Sequence, residues 1–207
     1  MDSSGKILLW RLSIIFAALF VAGKIVSVNT ADFYMHEARR GDESAVDKAL
    51  WWDEAQPRAL TLKGLRSIRE DDPRSAEAEL QRAVSGNPAD ARPQLYLAEM
   101  RMRRGELGLA DQMIELAHRL MPVHPAVQRR IAYYWLERQR LDLAVLHFSR
   151  ALYGESAYGE ELFPLLLAML EDESAHGAVQ PLALAPPQWW ETFVRYAMEN
   201  AGDLNSL

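Results

Sequence analysis

Cysteine is absent from the 207-residue chain, which removes disulfides, thiolate metal sites and any cysteine nucleophile. It does not choose a compartment, because a disulfide-free protein can reside anywhere. An excess of positive charge is also missing. The 29 acidic residues outnumber the 23 lysines and arginines, for a formal net charge of -6. Such a chain has no overall electrostatic footprint for nucleic acid. No segment sustains a period-two alternation, so no sheet is expected. HExxH, GxSxG, P-loop and GxGxxG patterns are all lacking. Histidines at 36, 118, 124, 147 and 176 are scattered, without a four-residue pair beside a useful glutamate. His147, next to Phe148, is expected to be a partly exposed helix residue. The acidic run Glu70-Asp71-Asp72 precedes Pro73 and reads as a solvated turn, while Glu160-Glu161 sits at a helix start. No catalytic residues, metal or cofactor are expected, and the chain does not read as an enzyme.

What is present begins with an apolar segment. Residues 7–28 read ILLWRLSIIFAALFVAGKIVSV, with only Arg11 and Lys24 charged, both near the ends where long side chains snorkel. The uninterrupted core, residues 12–23, is shorter than the about 20 residues a spanning helix needs, so a span requires both ends to snorkel. Three readings stay open: an uncleaved signal anchor, a signal peptide cut near Val21-Ala22-Gly23, and a buried soluble helix. Against the last, Ile14, Ile15, Phe16, Leu19, Phe20 and Val21 cover every face of a helix. Positive charges flank both sides and do not set orientation. A short leading tail favours an inside N-terminus, so the folded part is expected outside the cytoplasm of a bacterial inner membrane.

The remainder repeats. Ala110, Ile114, Ala117 and Pro122 return 34 residues later as Ala144, Phe148, Ala151 and Ser156, and earlier as Ala76, Leu80, Ala83 and Pro88. The same frame aligns Gly64, Ala98 and Ala132 in the preceding helix. Breakers separate the units at Gly86-Asn87-Pro88 and at residues 121–125, and apolar residues recur at three and four between them. These positions resemble the tetratricopeptide repeat (TPR) family across about residues 57–156. Lys63, where an apolar residue is usual, and Ser67 and Arg101, where an aromatic is usual, depart from the pattern; Trp135 keeps it. The resemblance implies an all-α helix-turn-helix solenoid behind an N-terminal membrane helix. The organisation expected is a tail and anchor over 1–30, a degenerate repeat over 31–56, three repeats over 57–156, and an incomplete repeat with a capping helix over 157–207. The fourth unit is expected to lack a regular partner helix. A last helix is expected from Pro187, with Trp189, Trp190, Phe193, Val194, Ala197 and Met198 on one apolar face.

That resemblance implies a concave groove lined by the first helix of each pair. Its groove positions fall on Arg58, Leu65, Arg69, Arg92, Leu95, Glu99, Met102, Arg103, Arg129, Tyr133, Leu136 and Glu137. Arginine forks match carboxylates, and the interleaved apolar residues offer contact area, so an acidic protein or peptide is the partner expected. The carboxylate-clamp pattern of chaperone-binding relatives is absent, with Thr61, Leu65 and Tyr96 at its polar positions. The expected role is a membrane-tethered protein-interaction scaffold in an envelope assembly or secretion complex. Two alternatives are a permanently buried single-pass subunit of a larger complex, and a secreted periplasmic repeat protein.

Overall fold

The computed structural model describes residues 3–200, with side chains from residue 10 onward except those of 173 and 174. Among them it contains eleven α-helices, one short 3-10 turn and no strand. The chain divides into two compact units, Met1–Pro88 and Ala89–Leu207.

The first unit holds α1 (Ser3–Arg39), α2 (Ser44–Trp52), α3 (Pro57–Arg69) and α4 (Pro73–Gly86). Proline opens both α3 and α4, where its missing N–H costs nothing. Gln56 caps α3 by accepting from the amides of Arg58 and Ala59, and Asp72 caps α4 by accepting from that of Ser75. The apolar segment does not end before the repeats begin. α1 runs unbroken through it, and its last turns bury Ala31 and Met35 against Val46, Ala49 and Ala59. The residues expected to form a separate degenerate repeat thus borrow their first helix from the apolar one. Among the described residues one helix, over residues 10–39, is long and apolar enough to cross a membrane, and none of its apolar window is buried. That exposure removes the reading of a buried soluble helix.

The second unit holds α5 (Ala91–Arg103), α6 (Leu107–Leu120), α7 (Pro125–Glu137), α8 (Leu141–Gly154), a 3-10 turn (Ser156–Tyr158), α9 (Gly159–Glu171), α10 (Glu173–Leu184) and α11 (Trp190–Asn200). Consecutive helices pack as pairs, α5 with α6, α7 with α8 and α9 with α10, as α3 pairs with α4 in the first unit.

The 34-residue period is visible in the backbone itself. Asp71, Gly105 and Gln139 each adopt a left-handed conformation, with φ of 58°, 78° and 57°. At each, the next residue's amide reaches back to a carbonyl five positions earlier: Asp72 to Ser67, Glu106 to Arg101 and Arg140 to Trp135. This paired closure satisfies the last carbonyls of one helix and aims the chain into the next. Gly41, at φ 101°, makes the same closure between α1 and α2 through Asp42 and Glu37. The residues the repeat frame assigns to helix contacts are sealed: Ala76, Ala110, Ala144, Ala83, Ala117, Ala151, Ala98 and Ala132 are all fully buried. At Gly64 a Cβ would fall 2.8 Å from Leu80 Cγ, so only glycine allows α3 and α4 their approach.

Two of the three departures from the repeat pattern have a common cause. Glu79 of α4 is buried, and its carboxylate takes Lys63 Nζ at 3.1 Å and the Ser67 hydroxyl at 3.0 Å. Lys63 and Ser67 are polar because they together satisfy one buried acid. Arg101, the third departure, pairs with Glu106 across the following turn at 2.7 Å.

Two expectations at the C-terminal end are corrected. The fourth first-helix does gain a partner: α10 forms and buries Ala175 and Val179, although Gly177 and Pro181 lie within it. Small residues there allow a close pair where the repeat pattern itself is lost. The last helix begins at Trp190 rather than Pro187; of the face expected there, Trp189, Trp190, Phe193 and Ala197 pack on the core, while Val194 and Met198 do not. Trp189, Phe193 and Tyr196 gather round the Phe163 ring of α9, at centroid distances of 6.2, 5.5 and 5.7 Å. Val194 and Met198 point outward, Met198 being 80% exposed. The helix turns its aromatic edge, not its aliphatic one, toward the single ring available on α9.

Candidate partner-binding groove

In the second unit the first helices of three successive pairs, α5, α7 and α9, surround a recess of about 420 Å³. Seven of the residues expected from the repeat frame line it: Arg92, Leu95, Glu99, Arg103, Arg129, Tyr133 and Glu137. Leu95 is only 1% exposed and serves as floor, beside Val127. Met102 and Leu136 pack against the hydrophobic core instead and do not line the recess. Arg58, Leu65 and Arg69 lie on α3 in the first unit, with both arginines exposed and Leu65 half-buried.

Three lining residues that shape the site were missed in sequence: Tyr96, Arg130 and Glu161. Arg130 lies over the Tyr96 ring at 3.9 Å and forks onto the Glu99 carboxylate with two bonds of 2.6 Å. Arg129 bonds Glu161 and rests 4.7 Å over the Tyr158 ring. The Tyr133 hydroxyl donates to the second oxygen of Glu161 at 2.7 Å. The chain of contacts therefore joins α5 to α7 and α7 to α9, each through an arginine, a carboxylate and a tyrosine. These partners stand 28 to 32 residues apart. Near-34 spacing was the signal that could have found them.

The electrostatics follow from that pairing. Burial and the neighbouring Glu161 push the Tyr133 hydroxyl up to about 12, so it stays a donor. Burial raises the Glu161 carboxyl, but the Tyr133 hydroxyl and Arg129 more than offset it and hold it below its ordinary value. Arg92 is raised first by its hydrogen bond to Asp90, whose carboxylate also caps α5. Of the four arginines lining the recess, three are thus held by carboxylates of the same unit. Arg103 has no ion pair among the described residues. The groove is a mixed-charge surface and not the cationic one the arginine count alone suggests. Among the described residues, the buried Arg129 Nε has no hydrogen-bond partner.

A second recess, of about 270 Å³, lies among α6, α7 and α8 and is lined by Ile114, Glu115, His118, Arg119, Trp135, Leu143 and His147. It corrects the reading of His147, which is buried at 5% exposure and not partly exposed. Its Nδ1 meets Gln128 Oε1 at 2.8 Å, while Gln128 Nε2 lies 3.1 Å from His118 Nδ1 and 3.0 Å from the Met121 carbonyl. His118 Nε2 faces Arg150 at 3.1 Å. The fully buried Gln128 is the centre of this network. Among the described residues no group of three or more histidines and carboxylates is placed to hold a metal ion.

The class defined by these features is an all-α, TPR-like helix-turn-helix solenoid with one apolar N-terminal helix. Comparison with known proteins agrees at the level of fold. The chain is similar in structure to PilF of Pseudomonas aeruginosa, at 17% identity and a TM-score of 0.51, covering 81% of this chain and 78% of that one. Two crystal structures of MamA were also found. One is 21% identical with a TM-score of 0.42, over 66% of this chain and 75% of that; the other is 22% identical with 0.44, over 77% and 98%. No family model and no curated protein matches the chain.

Proposed function

We propose that the chain is a membrane-tethered scaffold that holds a segment of a partner protein in the α5–α7–α9 groove, as part of an envelope assembly or secretion complex. The observation that carries this reading is the groove itself. It combines an apolar floor at Leu95 and Val127, the half-buried rings of Tyr96 and Tyr133, and Arg103, which has no ion pair among the described residues. Aromatic and arginine side chains on a concave surface are the residues that contribute most to protein recognition. The partner segment supplies a carboxylate to Arg103 and apolar side chains to the floor. Because Asp90, Glu99 and Glu161 occupy the other arginines, a uniformly acidic segment gains less here than one of mixed charge. The tether is α1, retained rather than cleaved. Its unbroken passage from the apolar window into the α1–α2 hairpin supports retention, since a cut near residue 23 would sever a continuous helix. The repeats lie outside the cytoplasm in this reading.

The test is site-specific photocrosslinking of the full chain in its native host. Probes at Arg103 and Glu137 face the groove, and a control probe at Gln112 sits on the exposed side of α6. A discrete adduct at the groove positions alone, weakened by Arg103→Glu with the probe at Glu137, is the expected result. Equal crosslinking at Gln112 would favour the alternative of a subunit buried on several faces. Exposed Leu109, Val123 and Tyr153, all outside the groove, give that alternative its support.

A further inference from the structure

The end of α2 is fixed against a definite level of α1. The Ser27 hydroxyl donates to the Trp52 carbonyl, and Lys24 reaches Asp53, the residue that closes α2, at 3.9 Å. Trp51 and Trp52 therefore stand beside residues 24–28, where the apolar window of α1 is running out. Trp51 is 77% exposed and Trp52 37%, their rings edge to face with centroids 4.9 Å apart. Packing among the described residues of the first unit does not account for two indoles left in the open at the tip of a helix.

The other end of the window carries the same chemistry. Trp10 is 67% exposed and is followed by Arg11. From residue 10 to residue 27 a helix rises about 26 Å, at 1.5 Å per residue, close to the about 30 Å hydrocarbon thickness of a bilayer. Between those levels the exposed large hydrophobic side chains are Leu12, Ile14, Ile15, Phe16, Leu19, Phe20, Val21, Ile25 and Val26, with the charged Arg11 and Lys24 exposed near the two ends. Roughly one turn beyond Ser27 polar contacts begin, with Asp32 accepting from Gln56 at 2.9 Å, while Phe33 stays exposed beside it. Tryptophan and basic residues at both limits of an apolar helix are the arrangement that bilayer interfaces select, because an indole is apolar in body and polar at its N–H.

We infer that Trp51 and Trp52 are membrane anchors: the tip of α2 inserts its indoles into the headgroup region of the bilayer that α1 spans from Trp10 to Ser27. This rests on the reading of α1 as a retained tether. It adds that the α1–α2 hairpin sits directly on the lipid surface, held by two elements, and does not swing on a flexible linker. Lys24 is placed to share itself between Asp53 and lipid phosphate at the same level.

The cysteine-free chain allows a clean test. Single-cysteine variants of the full chain, Phe16→Cys, Trp51→Cys and Arg74→Cys, are nitroxide-labelled and reconstituted in phosphatidylcholine vesicles. Collision with oxygen, which partitions into lipid, is compared with collision with a water-soluble nickel chelate. The expected order of depth is position 16 in the hydrocarbon, position 51 at the interface, and position 74 in water. Because residue 51 is exposed, its replacement leaves the hairpin intact, and unchanged helical content by circular dichroism checks that. If position 51 is as open to nickel as position 74 while position 16 is buried, the anchor is refuted and the tether stands. If position 16 is itself in water, the tether fails and the anchor with it.

Discussion

The Gln128 network makes the stability of the second unit depend on pH in a way that its carboxylates do not. His147 is lowered to about 3, first by burial and then by the nearby charge of Arg150 and by His118. His118 is lowered as well, by burial and by Arg150. The charged and titratable groups around the same recess are Glu115, Arg119 and Arg150. In the unfolded chain His147 protonates near 6.5, so between that value and about 3 the unfolded state binds a proton that the folded state refuses. The contribution is fully present above pH 6.5 and is lost as pH falls below it. Each unit of separation is worth about 1.4 kcal/mol, so lowering the pH from 6.5 to 5 should remove about 2 kcal/mol from this one group. Urea unfolding of the full chain in detergent, followed by circular dichroism at pH 7.5, 6.0 and 5.0, reads that loss as a falling midpoint. His147→Gln keeps a side chain able to bond Gln128 but cannot take up the proton, so its profile should flatten over that window. The His147 ring resonances should also stay unshifted down to pH 5. A native-like titration of His147 near 6.5, or an equal slope in the Gln variant, would show the reasoning to be wrong.

Helix contact gives the second prediction. Ala144→Leu or Ala110→Leu inserts a branched side chain where nothing is exposed, and should cost about 1–3 kcal/mol, read as a lower Tm; an unchanged Tm would remove these alanines from the helix contacts. At the buried acid, Lys63→Ala leaves Glu79 with only Ser67 and should cost about 1–3 kcal/mol, whereas Lys63→Leu with Glu79→Leu should recover most of it. A double variant no more stable than Lys63→Ala would mean that the carboxylate has a further role. Between repeats, Arg130→Ala strands Glu99 and uncovers Tyr96, so amide exchange should quicken in α5 and α7 together; acceleration confined to α7 would deny the coupling.

Much of the fold was legible because its cause is local and periodic. Small residues 34 apart mark where two helices touch, and the structure buries Gly64 and places every alanine among them at zero exposure. The turns were legible only in part. Gly105 announces a left-handed residue, but Asp71 and Gln139 adopt the same conformation with no glycine to signal it. There the helix-closing hydrogen bonds outweigh the cost of a positive φ. The C-terminal end was misread for a related reason: α10 is built from residues with no repeat signature, and it is the tertiary partner, α9, that orders it.

The groove shows where periodic reasoning stops. A repeat frame states which positions face inward, and seven of them do line one recess. It cannot state what each inward side chain faces, because that partner belongs to the next repeat. Counting arginines along one helix therefore gives a cationic surface, while pairing them across helices gives Arg130 with Glu99 and Arg129 with Glu161. The same couplings that neutralise the groove also link each repeat to its neighbour, the interface term on which a linear array depends. A partner that drew Arg129 away from Glu161 would loosen the contact between α7 and α9 and release the Tyr133 hydroxyl from the same carboxylate. Binding at Arg103 does not carry that cost. Arg103, on α5 and without an ion pair among the described residues, is accordingly the position where the carboxylate of the proposed partner would gain most.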